Sequence, residues 1–460
     1  MIGVKIMAQR HSLRTFYLLI VTQTFSLIGS EMTSLAVSIW VYKESGNVTP
    51  LTLAAFFAAV PRLITPSFAG VLADRWDRRY VMILADAGQA VGTFLLMLSF
   101  LSGTFQLWHL YLVSALQAAF SMFQGPAFSA SVTMLVPDHH RDRANAVQQM
   151  RGAAAGLVAP TLAGALFALV GAPGVMAIDL FTFAVAITVV GLVHIPRPPQ
   201  TAEGRATQGS LWGEALVGFR YLWARQPLFM LVLTATAVNF FLNMVGVLIT
   251  PYVLSLTGSE ATLGVLLSLF SAGALVGGVI MSVWGGTRPR THTIFPGTLF
   301  TGLMFAGLGI ARSPLTLGAA AFVMMIPLPI VNASFDAILQ IKVPPDLQGR
   351  VFAAVMQLSM LLMPVAYLLS GPLADGVFEP AVHSDFWALV APLVGQQDGS
   401  GIGLMAVMAG LLVVAITALV YLAPSVRQLE AILPDYVAVP GESPEVVSVG
   451  ERSPVPEGSA

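Results

Sequence analysis

A bilayer core about 30 Å thick is crossed by roughly 20 apolar residues in helical form, and this chain carries such runs almost end to end. Cut at charged or Pro/Gly clusters, they number twelve: 16–41, 51–72, 80–102, 108–135, 144–170, 174–194, 228–256, 262–284, 293–311, 315–340, 351–373 and 402–422. Of the 460 residues 56% are hydrophobic and 10% charged, whereas soluble globular chains carry about 25% charged residues. Most of the surface must therefore meet lipid, and the expected fold class is an all-α integral membrane protein. A net charge of -1 argues against a nucleic-acid partner. The absence of Cys removes disulfides, thiolate metal sites and cysteine nucleophiles. Lys5, Arg10 and Arg14 ahead of Phe16 have the charge order of a signal peptide, but the apolar run continues to Val41 and is read as a retained first span.

An even number of spans puts both termini on one side, and the distribution of Lys and Arg says which side. Eighteen of the 22 fall in segments that would be cytoplasmic, two (Lys43 and Arg312) in outer loops, and two (Arg62 and Arg151) inside spans. The longest interruption, 195–227, opens Ile195-Pro196-Arg197-Pro198-Pro199 and cannot continue a helix. The chain is thus expected to divide into six spans (1–194), a cytoplasmic linker (195–227), six further spans (228–423) and a disordered acidic tail (424–460). Within the linker, Leu211, Trp212, Ala215, Leu216, Phe219, Leu222 and Trp223 recur at helical spacing. They predict a helix lying either in the inner interface or on the base of the bundle.

Comparing the chain with itself gives one offset, 207 residues. Val136-Pro137 falls on Val343-Pro344, Arg143 on Arg350, Ala146 on Ala353, Leu162 on Leu369, Gly164 on Gly371 and Gly70 on Gly277. An even number of spans separates equivalent positions, so the two six-helix bundles are expected to be parallel-related about an axis along the membrane normal, with a ligand route between them.

Ionisable groups inside spans are few, and each needs a partner or a proton. Glu31 lies about fifteen residues into span one, with Thr24 and Ser38 on nearly the same face, and Arg62 follows Pro61 in span two. The two form either a static pair or a proton-coupling pair in which Glu31 alternates between Arg62 and a proton. Asp86 and Gln89 in span three match Arg151 in span five in depth. Asp179 and Asp336 sit near span ends, where water or a helix terminus could satisfy them. Gln23, Thr24, Gln117, Gln124, Thr236, Asn239, Asn243 and Gln357 are candidate polar anchors of a substrate cavity, set among 20 Met and 27 Phe. No cluster of cations sits at that depth, which favours a neutral or cationic amphiphile over a phosphate or sugar acid.

The most specific stretch joins spans two and three: Gly70-Val71-Leu72-Ala73-Asp74-Arg75-Trp76-Asp77-Arg78-Arg79. Gly70 would allow close helix contact. Asp74 can pair with the arginines of this loop and cap a neighbouring helix. Ordinary inner-face anchoring explains Arg75, Arg78 and Arg79 but not Asp74 and Asp77, so the loop is read as a conformational latch, which Asp86 and Arg151 either extend inward or accompany as a purely structural pair. It resembles the loop signature G-x-L-x-D-R-x-x-R-[RK] of the major facilitator superfamily. Its second-half counterpart, Trp284 to Arg290, has lost the acid.

Narrower pieces resemble the macrolide-efflux and enterobactin-exporter branch: Gln23 to Glu31 with Ser38–Tyr42, Val136-Pro137 with Ala144-Asn145-Ala146, Ala159-Pro160 with Ala163-Gly164, and Ile178-Asp179. That branch usually has Asp where this chain has Glu31, and Gly where it has Ala159. Gly152, Gly156, Pro160 and Gly164 match only partly the span-five pattern of the superfamily's antiporters. The resemblance implies secondary active export of a hydrophobic or amphiphilic small molecule from the bacterial inner membrane. Proton entry drives it, with no cofactor beyond the proton motive force, and a monomer is the expected unit.

An enzyme is not expected. His139 and His140 are the one adjacent His pair, and no H-E-x-x-H, G-x-S-x-G or P-loop pattern occurs. A channel is disfavoured because nothing resembles a filter. Proton-linked or facilitated uptake on the same fold is the serious competitor. Uptake of a fluorescent hydrophobic cation by energised inverted vesicles, with reduced acidification, separates the two.

Overall fold

The computed structural model describes residues 2–64, 76–137, 140–193, 211–433 and 435–436, with side chains from residue 13 onward apart from 133, 142, 211–216 and 386. Helix α1 spans Ile2–Ser45, α2 Thr49–Ile64, α3 Arg78–Leu101 and α4 Leu107–Leu135. The long helix Arg141–Leu192 is broken at Gly171, whose φ of 65° and ψ of -177° lie outside the helical region. Glycine has no Cβ to oppose such a backbone, and Pro173 restarts the helix just beyond. The break divides α5 (141–170) from α6 (172–192), the two spans expected there.

The second half repeats the pattern after the linker helix α7, Leu211–Trp223. It comprises α8 (Gln226–Thr257), α9 (Glu260–Trp284), α10 (Thr291–Ile310), α11 (Pro314–Lys342), α12 (Pro345–Ala381) and α13 (Ser400–Leu422). With α1 to α6 these make twelve helices among the described residues, in two six-helix bundles; α1 begins at Ile2, fourteen residues before its expected run, and α12 continues to Ala381, eight beyond its own.

One segment takes the second of its two expected placements, and another differs from expectation. α7 packs on the base of the second half. Tyr221 Oη donates to the Lys342 carbonyl at 2.9 Å, and Leu222 is fully buried beside Val351 and Ala354. Phe219, Trp223 and Phe229 form an aromatic cluster, with Trp223 exposed at the level where such rings anchor in the membrane interface.

Residues 424–436, expected to belong to a disordered tail, are instead held against the inner face. Val426 and Leu429 have no exposed surface. Lys342 Nζ donates to the Glu430 and Leu433 carbonyls and to Asp435 Oδ1 at 2.7 Å. The signal overlooked was a buried-end lysine that needed acceptors. Asp435 lies outside the membrane, and the hydrogen bond and charge of Lys342 hold its carboxyl below the usual range. Residues 437–460 lie outside the described residues.

The two halves meet along two seams at the end opposite α7. In one, α5 packs on α9. A Cβ on Gly164 would overlap the Glu260 carbonyl oxygen, Thr161 Oγ1 and Ser268 Oγ share a hydrogen bond of 2.7 Å, and Lys43 pairs with Glu260 across the halves. In the other, α12 packs on α2. A Cβ on Gly371 would stand 2.6 Å from Thr49 Cα, and Asp375 crosses from the second half to cap the start of α2. Its carboxylate accepts from the backbone N–H of Val48 (3.0 Å) and Thr49 (2.7 Å) and from Thr49 Oγ1 (2.6 Å). Gly164 and Gly371 are the pair that the 207-residue offset superposes, so the repeat read in the sequence appears here as two related seams.

Candidate functional site

Polar chemistry inside this fold falls into three places: the cleft between the halves, the interior of the first half and a cavity in the second. The cleft holds Glu31 and Arg62. Glu31 stands fourteen residues before Ser45, the outer end of α1, and Arg62 thirteen residues after Thr49, the outer end of α2. At 1.5 Å per residue both lie about 20 Å below the outer end, one level within the membrane. Both side chains are exposed, and Arg62 is the charge that acts on Glu31. Arg62 also acts on Tyr367 of α12, in the other half. The Tyr367 hydroxyl in turn donates to Asn243 Oδ1 of α8 at 3.0 Å. A carboxylate and a guanidinium of the first half thus face a phenol and an amide of the second.

The first half has a nearly dry interior polar network. Asp86 of α3 has no exposed surface. Its two oxygens accept from Gln23 Nε2 of α1 at 2.8 Å and from Gln124 Nε2 of α4 at 2.6 Å, and Gln124 Nε2 also reaches Gln23 Oε1. Arg151 of α5 supplies the neighbouring positive charge and lies over the Phe128 ring at 5.1 Å.

One layer toward the outside, Asp179 of α6 is equally buried rather than satisfied by water. It accepts from Ser30 Oγ and Thr93 Oγ1, each at 3.3 Å, and Gln117 Nε2 donates to Thr93 Oγ1 at 3.0 Å. Gln23, Gln117 and Gln124 therefore spend their amides inside the first half, as does Gln89, which donates to the Ala85 carbonyl. Thr24 and Thr236 donate to their own helices, at the carbonyls of Ile20 and Val232. Gln357 is exposed.

Of the expected latch, Gly70, Asp74 and Arg75 lie outside the described residues. Asp77 caps α3, accepting from the Arg79 N–H at 3.0 Å. Arg78 donates to the Ala130 carbonyl on α4, and Arg79 Nε to the Val190 carbonyl on α6 at 3.0 Å. These arginines tie the inner ends of α3, α4 and α6 together.

The second half encloses a cavity of about 530 Å³ between α8, α10, α11, α12 and α13. Asn239 lines it and Asn243 does not. Sequence reasoning missed Asp336, which lines the same cavity instead of meeting a helix end. The available signal was Asn332 one turn before it, which puts two polar side chains on one face of the helix.

The family model of the Major Facilitator Superfamily matches residues 19–367. This chain belongs to the major facilitator superfamily. Among similar curated proteins, macrolide efflux protein A of Streptococcus pyogenes is 24% identical over 366 residues, covering 79% of this chain and 90% of that one. The multidrug efflux pump Tap of Mycobacterium tuberculosis is 27% identical over 399 residues, covering 84% and 92%. A solved bacterial homolog of the human lysosomal transporter Spinster, inward-facing and unoccupied, superposes with a TM-score of 0.70 at 14% identity, covering 90% of this chain and 96% of that one. At that identity the likeness concerns the fold. This major facilitator protein is a multi-pass membrane transporter.

Proposed function

We propose that this transporter exports hydrophobic or amphiphilic small molecules in exchange for protons, by alternating access, from the bacterial cytoplasmic membrane. Both termini would face the cytoplasm, and the working unit would be a monomer with no enzymatic step. The names of the efflux relatives support the direction. The observation that carries the coupling is the placement of Glu31 and Arg62 at one depth in the cleft, with Arg62 acting also on Tyr367 of the opposite half.

The mechanism follows from what one proton does there. While Glu31 is ionised its charge offsets that of Arg62 at one depth of the membrane, where a lone charge is costly. A proton on Glu31 cancels that attraction and frees Arg62 to turn toward Tyr367 and Asn243, altering the balance of contacts between the halves. Substrate binding would favour return of the proton. The Asp86 network, already saturated by two glutamine amides, would serve as a rigid support for α1 and α3, so that motion occurs between halves and not within them.

The test is Glu31→Gln in everted membrane vesicles. Gradient-driven substrate movement should fall at least about tenfold, with equilibrium binding retained. Export against a gradient with unchanged pH dependence in that variant would remove Glu31 from the coupling step.

A further inference from the structure

The cavity in the second half is chemically one-sided. Among the described residues Asp336 is the only ionisable side chain that lines it. Its carboxylate is exposed, and among the described residues it has no hydrogen-bond or ion-pair partner.

The hydroxyls around it point the same way. Thr234 donates to the Met230 carbonyl, Thr298 to Ile294 and Thr301 to Gly297, so each has spent its proton on its own helix and turns lone pairs to the cavity. Thr417 on α13 is 1% exposed, and its Oγ1 has no partner among the described residues. A buried hydroxyl without a partner is uncommon and calls for one.

Depth adds to the argument. Asp336 stands six residues before the end of α11 at Lys342, and Thr298 seven after the start of α10 at Thr291. At 1.5 Å per residue both lie about 10 Å inside the inner end, open to a molecule arriving from the cytoplasm or the inner leaflet. The rest of the wall is Leu, Ile, Val, Phe, Met and Ala with three neutral polar side chains, Asn239, Asn332 and Ser359, and about 530 Å³ is within the usual range for a small-molecule site.

We infer that this cavity is a binding site for amphiphilic monocations, with the positively charged nitrogen or phosphorus held at Asp336 against the acceptor oxygens of Thr234, Thr298 and Thr417 and the apolar body against the α8 and α12 side chains. The inference rests on the export reading and narrows its substrate class to molecules with a single delocalised or protonated cationic centre. An anion of the same shape meets a carboxylate and lone pairs, with no donor cation to hold it. The carboxylate selects by charge, and the apolar wall supplies the affinity.

The experiment uses the full chain in nanodiscs and equilibrium dialysis, with no gradient. The probes are tetraphenylphosphonium and its anionic counterpart of the same shape, tetraphenylborate. The wild-type protein should bind the cation with at least about tenfold preference after subtraction of empty nanodiscs. Asp336→Asn should weaken cation binding about tenfold or more, and Asp336→Glu should keep most of it.

Equal binding of the two ions by the wild type overturns the inference without any variant, as does unchanged cation binding in Asp336→Asn. Because binding is read at equilibrium, its outcome is separate from the coupling reading. A protein that loses proton-driven export in Glu31→Gln, yet fails to discriminate the two ions, keeps its proposed function and loses this site.

Discussion

The two seams that close the outer end are related by the 207-residue repeat and built with different chemistry. At α5–α9 the contact is backbone against backbone at Gly164, with an exposed ion pair, Lys43–Glu260, on the rim. At α2–α12 the glycine contact recurs at Gly371, but the charge beside it is Asp375, which takes three donors from the start of α2. A carboxylate that caps a helix from another part of the fold satisfies orphan N–H groups and meets the positive end of the helix dipole. A half-exposed ion pair is screened by water and salt. The duplication thus kept the small residues that let helices touch and left the electrostatics to diverge. The second seam should be the firmer of the two.

The lack of cysteine makes this contrast measurable, since a label pair placed by Glu44→Cys and Asp398→Cys on the exposed outer ends has no background. The largest effect should come from the glycines. Gly164→Ala or Gly371→Ala puts a methyl where backbone atoms already stand, so the labels should separate and transport should fall about tenfold or more in either variant. A harmless Gly371→Ala would end the equivalence of the seams. Next comes Asp375→Asn, which keeps one acceptor and loses the charge. Removing a cap costs about 1 kcal/mol, so the closed-to-open population ratio should drop about fivefold by pulsed spin-label distances. Smallest is Lys43→Ala, worth about 0.2–1 kcal/mol. Its effect on the same ratio should stay below about fivefold and fade in high salt, and a larger shift than that of Asp375→Asn would invert the ranking.

Much of this architecture was readable in advance because lipid imposes it. Span lengths follow from bilayer thickness, and the halves from Val136-Pro137 against Val343-Pro344. Helix rotation was not readable. A span apolar around most of its circumference gives little sign of which face looks inward, so Gln117 and Gln124 could be assigned to a cavity although their amides are bound to Thr93, Gln23 and Asp86. Asp179 sits near a span end in sequence, yet α1 and α3 fold over it through Ser30 and Thr93. Depth along one helix says nothing of what its neighbours cover. The Glu31–Arg62 juxtaposition could be anticipated because both positions are counted from the same outer turn and each charge demanded a partner.

Lys342 sets a practical boundary for anyone who shortens this protein. Its ammonium stands at the water–lipid border and is only 7% exposed, gripped by oxygens that the chain supplies from Glu430, Leu433 and Asp435. A stop codon placed at 424 would strand it beside an apolar base that had lost Val426 and Leu429 as well. Purification handles and reporter fusions therefore belong after residue 436.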